Sequence, residues 1–114
     1  MKVKKTPIVE IGETNFKSEV IESKRAVLVA FLAPWSRPCR VILPVLEEVS
    51  VASASSMKVL RINADDHPGL GMVYDIHSIP TLLCFVSGEE RARIVGTASK
   101  EAILVTLRPL MGTI

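Results

Sequence analysis

Residues 27–40 read Val27-Leu-Val-Ala-Phe-Leu-Ala-Pro-Trp-Ser-Arg-Pro-Cys-Arg40, and this segment is the most informative in the chain. Ala26–Leu32 is continuously apolar and rich in strand-forming residues, so it predicts a central strand covered on both faces of a sheet. A turn with two prolines follows, and Cys39 then stands at the start of a helix whose apolar residues recur at helical spacing. These residues are Val41, Ile42, Val45, Leu46 and Val49. The segment therefore predicts a buried strand, a short loop and a helix.

Shorter elements are predicted on either side of this unit. Thr14 or Asn15 is expected to cap the first helix, and Ser99 the last, whose final turn Pro109 should disturb. The predicted elements are a strand at 7–11, a helix at 16–22, a strand at 58–62, a helix at 66–74, a strand at 81–86, a hairpin turn at 87–89, a strand at 91–95 and a helix at 102–110. The order βαβαβαββα indicates an α/β domain with a mixed sheet flanked by helices.

Composition sets the broad class of the protein. The chain has 114 residues, so residues 1–114 are expected to form a single domain. Its 14 Lys and Arg and 12 Asp and Glu are scattered, which argues against nucleic-acid binding. The longest apolar run, from Ala26 to Ala33, is far shorter than the roughly 18 residues of a membrane span. The charged start of the chain lacks the apolar stretch of an export signal, so a cytoplasmic protein is expected.

Several residues stand at spacings that resemble the thioredoxin family. The matching positions are Trp35, Pro38, Cys39, Pro44, Ile79-Pro80-Thr81, Gly88 and Gly96. The resemblance covers the chain from about Ile8 to about Leu110. It implies the thioredoxin fold, with a cis peptide bond between Ile79 and Pro80.

Two departures from the family pattern bear on function. The family places a nucleophilic cysteine first in its motif, whereas this chain has Ser36 there and keeps Cys39 as the second cysteine. A dithiol reductase needs the first thiolate to attack a substrate disulfide and the second thiol to release the product. Ala30 stands where the family commonly buries an aspartate that assists proton transfer. Both departures favour a natural loss of dithiol activity.

The resemblance also implies a surface for partners. In the family, the motif, the cis-proline loop and the turn near residue 96 form a shallow apolar groove for an extended protein or peptide segment, including thiol-containing ones. The corresponding residues here are Trp35, Arg37, Pro38, Ile79, Pro80 and Gly96. Arg37 either favours acidic segments or is a solvated turn residue. If the chain is active, a thioredoxin reductase is the implied recycling partner.

Other candidate sites are weaker. Cys39 is either a reactive thiol at a helix N-terminus or a small buried residue, and Cys84 is interpreted as core packing. Ser36 and His77 could form a nucleophile and base, but the sequence indicates no carboxylate to orient His77. Two cysteines and two histidines at these separations do not predict a metal site, and no cofactor is expected.

These observations leave three hypotheses for function. The leading one is a thioredoxin-like protein of thiol-disulfide redox biology with little dithiol reductase activity, acting as a module that binds peptides or proteins. The second is an active thiol-disulfide oxidoreductase, either one whose first motif cysteine Ser36 replaces or one in which Cys39 works with an external thiol such as glutathione. The third is a structural subunit that uses the fold for assembly.

Overall fold

A computed structural model describes residues 8–111 of the protein. The strands are β1 (Val9–Ile11), β2 (Ala26–Leu32), β3 (Met57–Asn63), β4 (Thr81–Val86) and β5 (Glu89–Val95). The helices are α1 (Glu13–Phe16), which continues as a π-helical turn (Lys17–Ile21), α2 (Arg37–Ala52), α3 (Pro68–Val73) and α4 (Lys100–Leu107), which continues as a 3₁₀ turn (Arg108–Leu110). The predicted order βαβαβαββα is confirmed.

The five strands form one mixed sheet in the order β1-β3-β2-β4-β5. β1, β3 and β2 are parallel, whereas β4 and β5 are antiparallel to their neighbours. At the centre of the sheet, Leu28 of β2 lies between Val59 of β3 and Cys84 of β4. The predicted α/β class and mixed sheet are therefore confirmed.

Apolar clusters cover both faces of β2, because side chains alternate along a strand. Leu28, Ala30 and Leu32 face a cluster built with α2 and α4. Val29 and Phe31 face a second cluster with residues of α1 and the π-helical turn. All seven residues of β2 are buried, as its unbroken apolar sequence predicts. The sheet thus holds the loop at the end of β2 in a fixed position.

The first helix begins earlier than predicted. α1 starts at Glu13 with Gly12 as its N-cap, so the predicted start at Phe16 and the predicted caps Thr14 and Asn15 are wrong. The Asn15 Oδ1 accepts a hydrogen bond of 2.8 Å from the Gly12 N–H, which places Asn15 inside the first turn rather than before it. β1 begins at Val9 rather than at 7, and residue 7 lies outside the described residues.

The β4–β5 hairpin turn has two residues rather than the three predicted. Ser87 and Gly88 both have positive φ, 52° and 81°, as a two-residue turn that matches strand twist requires. β5 therefore starts at Glu89, two residues before the predicted start at Arg91. Gly88 is also required by space, because a Cβ there would lie 2.8 Å from the Ile21 carbonyl oxygen.

Prolines account for the bounds of the two later helices. α3 begins at Pro68 rather than at 66, since proline fits the first helical turn, and it ends at Val73, one residue before the predicted end at 74. The Ser99 hydroxyl caps α4 by accepting a hydrogen bond of 3.0 Å from the Ala102 N–H, as predicted. Pro109 disturbs the end of that helix as expected, and the chain turns to 3₁₀ geometry at Arg108.

Candidate functional site

The candidate site lies where β2 ends and α2 begins. In open sheets of this kind, ligands bind beyond the carboxyl ends of the parallel strands. Trp35 in this loop is 67% exposed, although it is the largest apolar side chain in the protein. Its indole Nε1 donates a hydrogen bond of 2.6 Å to Asp65 Oδ2, in the loop after β3. This bond fixes the orientation of an exposed aromatic surface.

Ser36 caps α2, a role that the sequence analysis missed. The side chain is only 5% exposed, and its Oγ accepts a hydrogen bond of 3.4 Å from the Cys39 N–H. Its carbonyl oxygen accepts from the Arg40 N–H at 3.1 Å, which closes the first helical turn. A serine immediately before a first turn that contains proline is the signal that could have identified this cap. The hydroxyl is thus held by the helix rather than presented at the surface.

Cys39 lies in the first turn of α2 and is 3% exposed. Its sulfur accepts a hydrogen bond of 3.4 Å from the Ala33 N–H. Ala30 is fully buried in the same apolar cluster and supplies no carboxylate. Cys39 is free of any disulfide. Because it is buried, a reagent must pass neighbouring side chains to reach the sulfur.

The loop before β4 lies next to the motif, and its Ile79–Pro80 peptide bond is cis, as predicted. Pro80 is buried, and its carbonyl oxygen accepts a hydrogen bond of 2.8 Å from the Gly96 N–H. Gly96 has a φ of 87°, which glycine adopts at little cost. This hydrogen bond joins the cis-proline loop to the end of β5 and occupies the N–H of Gly96.

A groove of about 550 Å³ runs between the motif loop, α3 and the cis-proline loop. We call it the tryptophan groove; it is lined by Trp35, Asp65, Met72, Ile76, His77 and Ile79, among others. Of the predicted partner-binding residues, Trp35 and Ile79 line this groove. Arg37 and Pro38 are exposed beside it without lining it, Pro80 is buried, and Gly96 is half-buried.

A carboxylate does accompany His77, contrary to the sequence analysis. Asp75 Oδ1 lies 2.8 Å from His77 Nε2, and both side chains are largely exposed. Asp75 has a φ of 59°, an uncommon conformation for a residue other than glycine. Within residues 8–111 the Ser36 hydroxyl bonds to the Cys39 N–H and makes no hydrogen bond to His77. His77 is therefore oriented by a carboxylate, as a base would be. Ser36 is not hydrogen-bonded to it, so the two residues do not form the pair that the hypothesis requires.

Arg93 of β5 holds the loop that carries Asp75. Its guanidinium donates hydrogen bonds to the carbonyl oxygens of Tyr74 and Asp75, at 2.6 and 3.1 Å. The hydrogen bond to Glu90 raises the pKa of Arg93 above its usual value, so this side chain is charged near neutral pH. One wall of the tryptophan groove is thereby fixed to the sheet.

Cys84 has a different environment in the middle of β4. It is free and fully buried, and burial raises the pKa of its thiol from 9.0 to about 11. Such a thiol is protonated and unreactive near neutral pH. This environment supports the interpretation of Cys84 as a packing residue.

Within residues 8–111, no group of three or more His, Cys, Asp and Glu side chains could hold a metal ion. Over the same part of the chain, every helix is too short or too polar to cross a membrane.

Known proteins resemble this chain over nearly its whole length. A family model described as thioredoxin matches residues 7–109, from β1 through α4. The thioredoxin of Pyropia yezoensis is 42% identical over 98 residues, which cover 86% of this chain and 92% of the relative. Thioredoxin 1 of Synechococcus elongatus is 39% identical over 97 residues, covering 85% and 91%. Thioredoxin M5, chloroplastic, of Oryza sativa is 38% identical over 96 residues, covering 84% of this chain and 56% of that protein.

Proposed function

The chain belongs to the thioredoxin family, and from this premise we propose that it binds extended protein or peptide segments and has little dithiol reductase activity. The observation that carries the proposal is Ser36, which stands at the position of the first motif cysteine and is buried as a helix cap. Two free cysteines are compatible with a reducing compartment, and we propose the cytoplasm.

The redox part of the proposal follows from the thiol count at the motif. If the Cys39 thiolate attacks a substrate disulfide, a mixed disulfide forms and one substrate thiolate leaves. In a dithiol protein, the second motif thiol then attacks the mixed disulfide, which releases the reduced substrate and leaves an intramolecular disulfide. Ser36 cannot take part in that second exchange, because a hydroxyl forms no disulfide. The cycle therefore stops at the mixed disulfide unless an external thiol completes it.

The binding part of the proposal is supported by the tryptophan groove. Trp35 and Met72 are exposed apolar side chains on its two sides, at 67% and 82% exposure. Ile79 continues the apolar surface toward the cis-proline loop. Side chains with a large apolar area and a polar end are favoured anchors at protein interfaces, and the indole of Trp35 is one of these. An extended segment that lies along the groove would cover these three residues.

A turbidity assay of protein disulfide reduction tests the redox part. The native chain, Ser36→Cys and Ser36→Ala are compared with insulin as substrate and dithiothreitol as the final reductant. We expect the native chain and Ser36→Ala to be equally inactive and Ser36→Cys to accelerate reduction strongly, because that variant regains two motif thiols. Activity of the native chain near that of Ser36→Cys would contradict the proposal.

A second candidate, an active oxidoreductase, is favoured by the relatives named thioredoxin. It would require Cys39 to work with an external thiol such as glutathione, or residue 36 to be a cysteine in the working protein. Glutathione-dependent reduction of a small mixed disulfide by the native chain, lost in Cys39→Ala, would support the first form. Recycling of oxidised Ser36→Cys by a thioredoxin reductase, measured as NADPH consumption, would support the second. Failure of both, together with no peptide binding, would leave the structural subunit.

Trp35 provides a direct probe of binding, since it is the single tryptophan of the chain. Its fluorescence should change when an extended peptide with alternating apolar residues fills the groove, and Met72→Ser should weaken that response. An acidic peptide should bind more tightly than a basic peptide of equal length if Arg37 contributes. Val105→Ser, on the exposed face of α4, is a matched control because it also removes an exposed apolar side chain.

A further inference from the structure

A second cavity adjoins the first turn of α2, where Cys39 and Arg40 line it. Its volume is about 300 Å³, and it lies between the end of β2, the start of α2 and the strands β1 and β3. We call it the arginine cleft, lined by Leu32, Cys39, Arg40, Leu43, Arg61 and Glu10, among others. It shares none of the lining residues of the tryptophan groove, so it is a separate place on the molecule.

An arginine in this cleft has a buried donor with no acceptor. The Nε of Arg61 is buried and makes no hydrogen bond to any atom of residues 8–111. The carboxylate oxygen of Glu10 is 3.7 Å away, which is close enough for charge attraction and too far for a hydrogen bond. A buried donor without a partner is costly, and a charged donor more so. The Arg61 side chain as a whole is 36% exposed, so the cost falls on Nε alone and the rest of the guanidinium can be reached from outside the chain.

The neighbouring strand provides no acceptor either. Ala30 of β2 is the register partner of Arg61 of β3, so both side chains leave the sheet on the same face. Ala30 has only a methyl group and is fully buried. Ala30 therefore gives Arg61 no polar side chain at this register position.

The charged side chains that line the cleft favour a ligand with one negative charge. Arg40 and Arg61 are positive and Glu10 is negative, which leaves one positive charge to be neutralised. Arg40 donates through Nη1 to the Pro34 carbonyl oxygen at 2.9 Å, so its charge is fixed at the rim. Leu32, Leu43 and Cys39 supply an apolar wall. Small-molecule sites typically combine such a wall with a few placed polar groups.

We propose that the arginine cleft binds a small amphipathic monoanion, a short aliphatic carboxylate. The carboxylate accepts hydrogen bonds from the accessible part of the Arg61 guanidinium, and the aliphatic chain lies against Leu32 and Leu43 and covers Cys39. A charge-assisted bond of this kind is among the stronger hydrogen bonds in proteins. The occupant would close one approach to the Cys39 sulfur without touching the tryptophan groove.

A titration with hexanoate, followed by the backbone amide signals of the ¹⁵N-labelled full chain, tests this site. We expect the largest shifts at Leu32, Cys39 and Leu43, and binding about tenfold tighter than that of hexanamide, which has the same chain without the charge. Arg61→Gln should reduce hexanoate binding to the level of hexanamide. Arg91→Gln, which removes an exposed arginine from β5, should leave it unchanged.

Two further measurements make the result decisive. Saturating hexanoate should slow alkylation of Cys39 by iodoacetamide several-fold in the native chain and not in Arg61→Gln. Ala30→Asp should supply an internal carboxylate to Arg61 and abolish hexanoate binding; if that variant does not fold, the Arg61→Gln comparison decides alone. Equal binding of hexanoate and hexanamide, full binding by Arg61→Gln, or shifts confined to the tryptophan groove would overturn the proposal.

Discussion

Cys39 and Cys84 belong to the same apolar cluster, and both are buried and free. Cys39 lies in the first turn of α2, below an exposed loop, beside a cleft and within reach of a backbone N–H. Cys84 lies in the middle of β4, between Leu28 of β2 and Ala92 of β5. The two thiols are therefore buried to a similar extent, but we expect them to differ in reactivity. The difference comes from the carboxyl end of β2, where loops and a helix terminus provide access and polar groups.

The largest expected difference between the two thiols is in their rates of alkylation. At pH 8 a thiol with a pKa of about 11 is ionised in about one molecule in a thousand, so Cys84 should be nearly inert in the folded protein. We expect iodoacetamide to label Cys39 at least about 100-fold faster, as measured by peptide mapping with mass spectrometry.

Labelling in denaturant is the control, because both thiols are then exposed and should react at similar rates. If iodoacetamide labels Cys84 before Cys39 in the native protein, the comparison between the two sites is wrong. In that case the redox part of the proposed function would also fail, and a structural role would explain the chain better.

Serine substitution should separate the two sites by stability. In Cys84→Ser, a hydroxyl is buried in the centre of the sheet, which should lower the free energy of unfolding by about 1 to 3 kcal/mol. In Cys39→Ser, the new hydroxyl can accept the hydrogen bond from the Ala33 N–H, so the loss should stay below about 1 kcal/mol. Urea unfolding of both variants measures the difference.

Cys84→Ala is the matched control for volume, since it removes the sulfur without adding a polar group. If Cys84→Ala is as destabilised as Cys84→Ser, the cost arises from the lost packing rather than from the buried hydroxyl. If Cys39→Ser is the less stable of the two serine variants, the hydrogen bond from Ala33 does not compensate.

The sequence predicts most of the fold because its local signals agree with one another. The apolar run of β2, the helical spacing in α2 and the turn residues at Ser87 and Gly88 each point to the observed element. The errors have local causes. An asparagine side chain can accept a backbone hydrogen bond as the N-cap itself or, as Asn15 does here, from the first turn back to the N-cap residue. The sequence does not distinguish these two positions, so the predicted cap at Asn15 is wrong. Glu89 and Glu90 disfavour a strand, yet β5 is at the edge of the sheet and tolerates charge.

The candidate site was less predictable, because its contacts join residues that are distant in sequence. Asp75 contacts His77 from a backbone conformation with positive φ, which aspartate rarely adopts and which the sequence does not announce. The bond from Trp35 to Asp65 depends on how two loops meet. The orphaned Nε of Arg61 depends on the register that puts Ala30 beside it. None of these follows from residue type or spacing.

Alkaline pH should expose the buried character of Cys84. Its thiol has a pKa of about 11 in the folded chain against 9.0 as its ordinary value, so between these values the unfolded chain loses a proton that the folded chain keeps. The contribution to stability is full below pH 9 and falls as the pH rises toward 11. At pH 10 the native chain should have lost roughly 1 kcal/mol relative to Cys84→Ala, allowing for screening.

Urea unfolding of the native chain and of Cys84→Ala at pH 8 and pH 10 measures this effect. Lysine and tyrosine groups titrate in the same range, and the difference between the two proteins removes their contribution. If the free energies of unfolding of the native chain and Cys84→Ala differ by the same amount at both pH values, Cys84 is less shielded from water than its position in β4 indicates.

The smallest expected effect comes from removing the Ser36 hydroxyl, which accepts a hydrogen bond from the Cys39 N–H. Ser36→Ala removes the acceptor of the Cys39 N–H, and at a bond length of 3.4 Å the loss of stability should be about 0.5 to 1 kcal/mol. Ser36→Thr keeps a neutral hydroxyl acceptor at the helix N-terminus and should preserve most of the stability. Because a frayed first turn exposes the sulfur, Ser36→Ala should also increase the alkylation rate of Cys39 and leave that of Cys84 unchanged. Equal acceleration at both cysteines would show that the substitution loosens the whole domain, and the distinction between a site beyond the end of β2 and a site in the centre of the sheet would then lose its support.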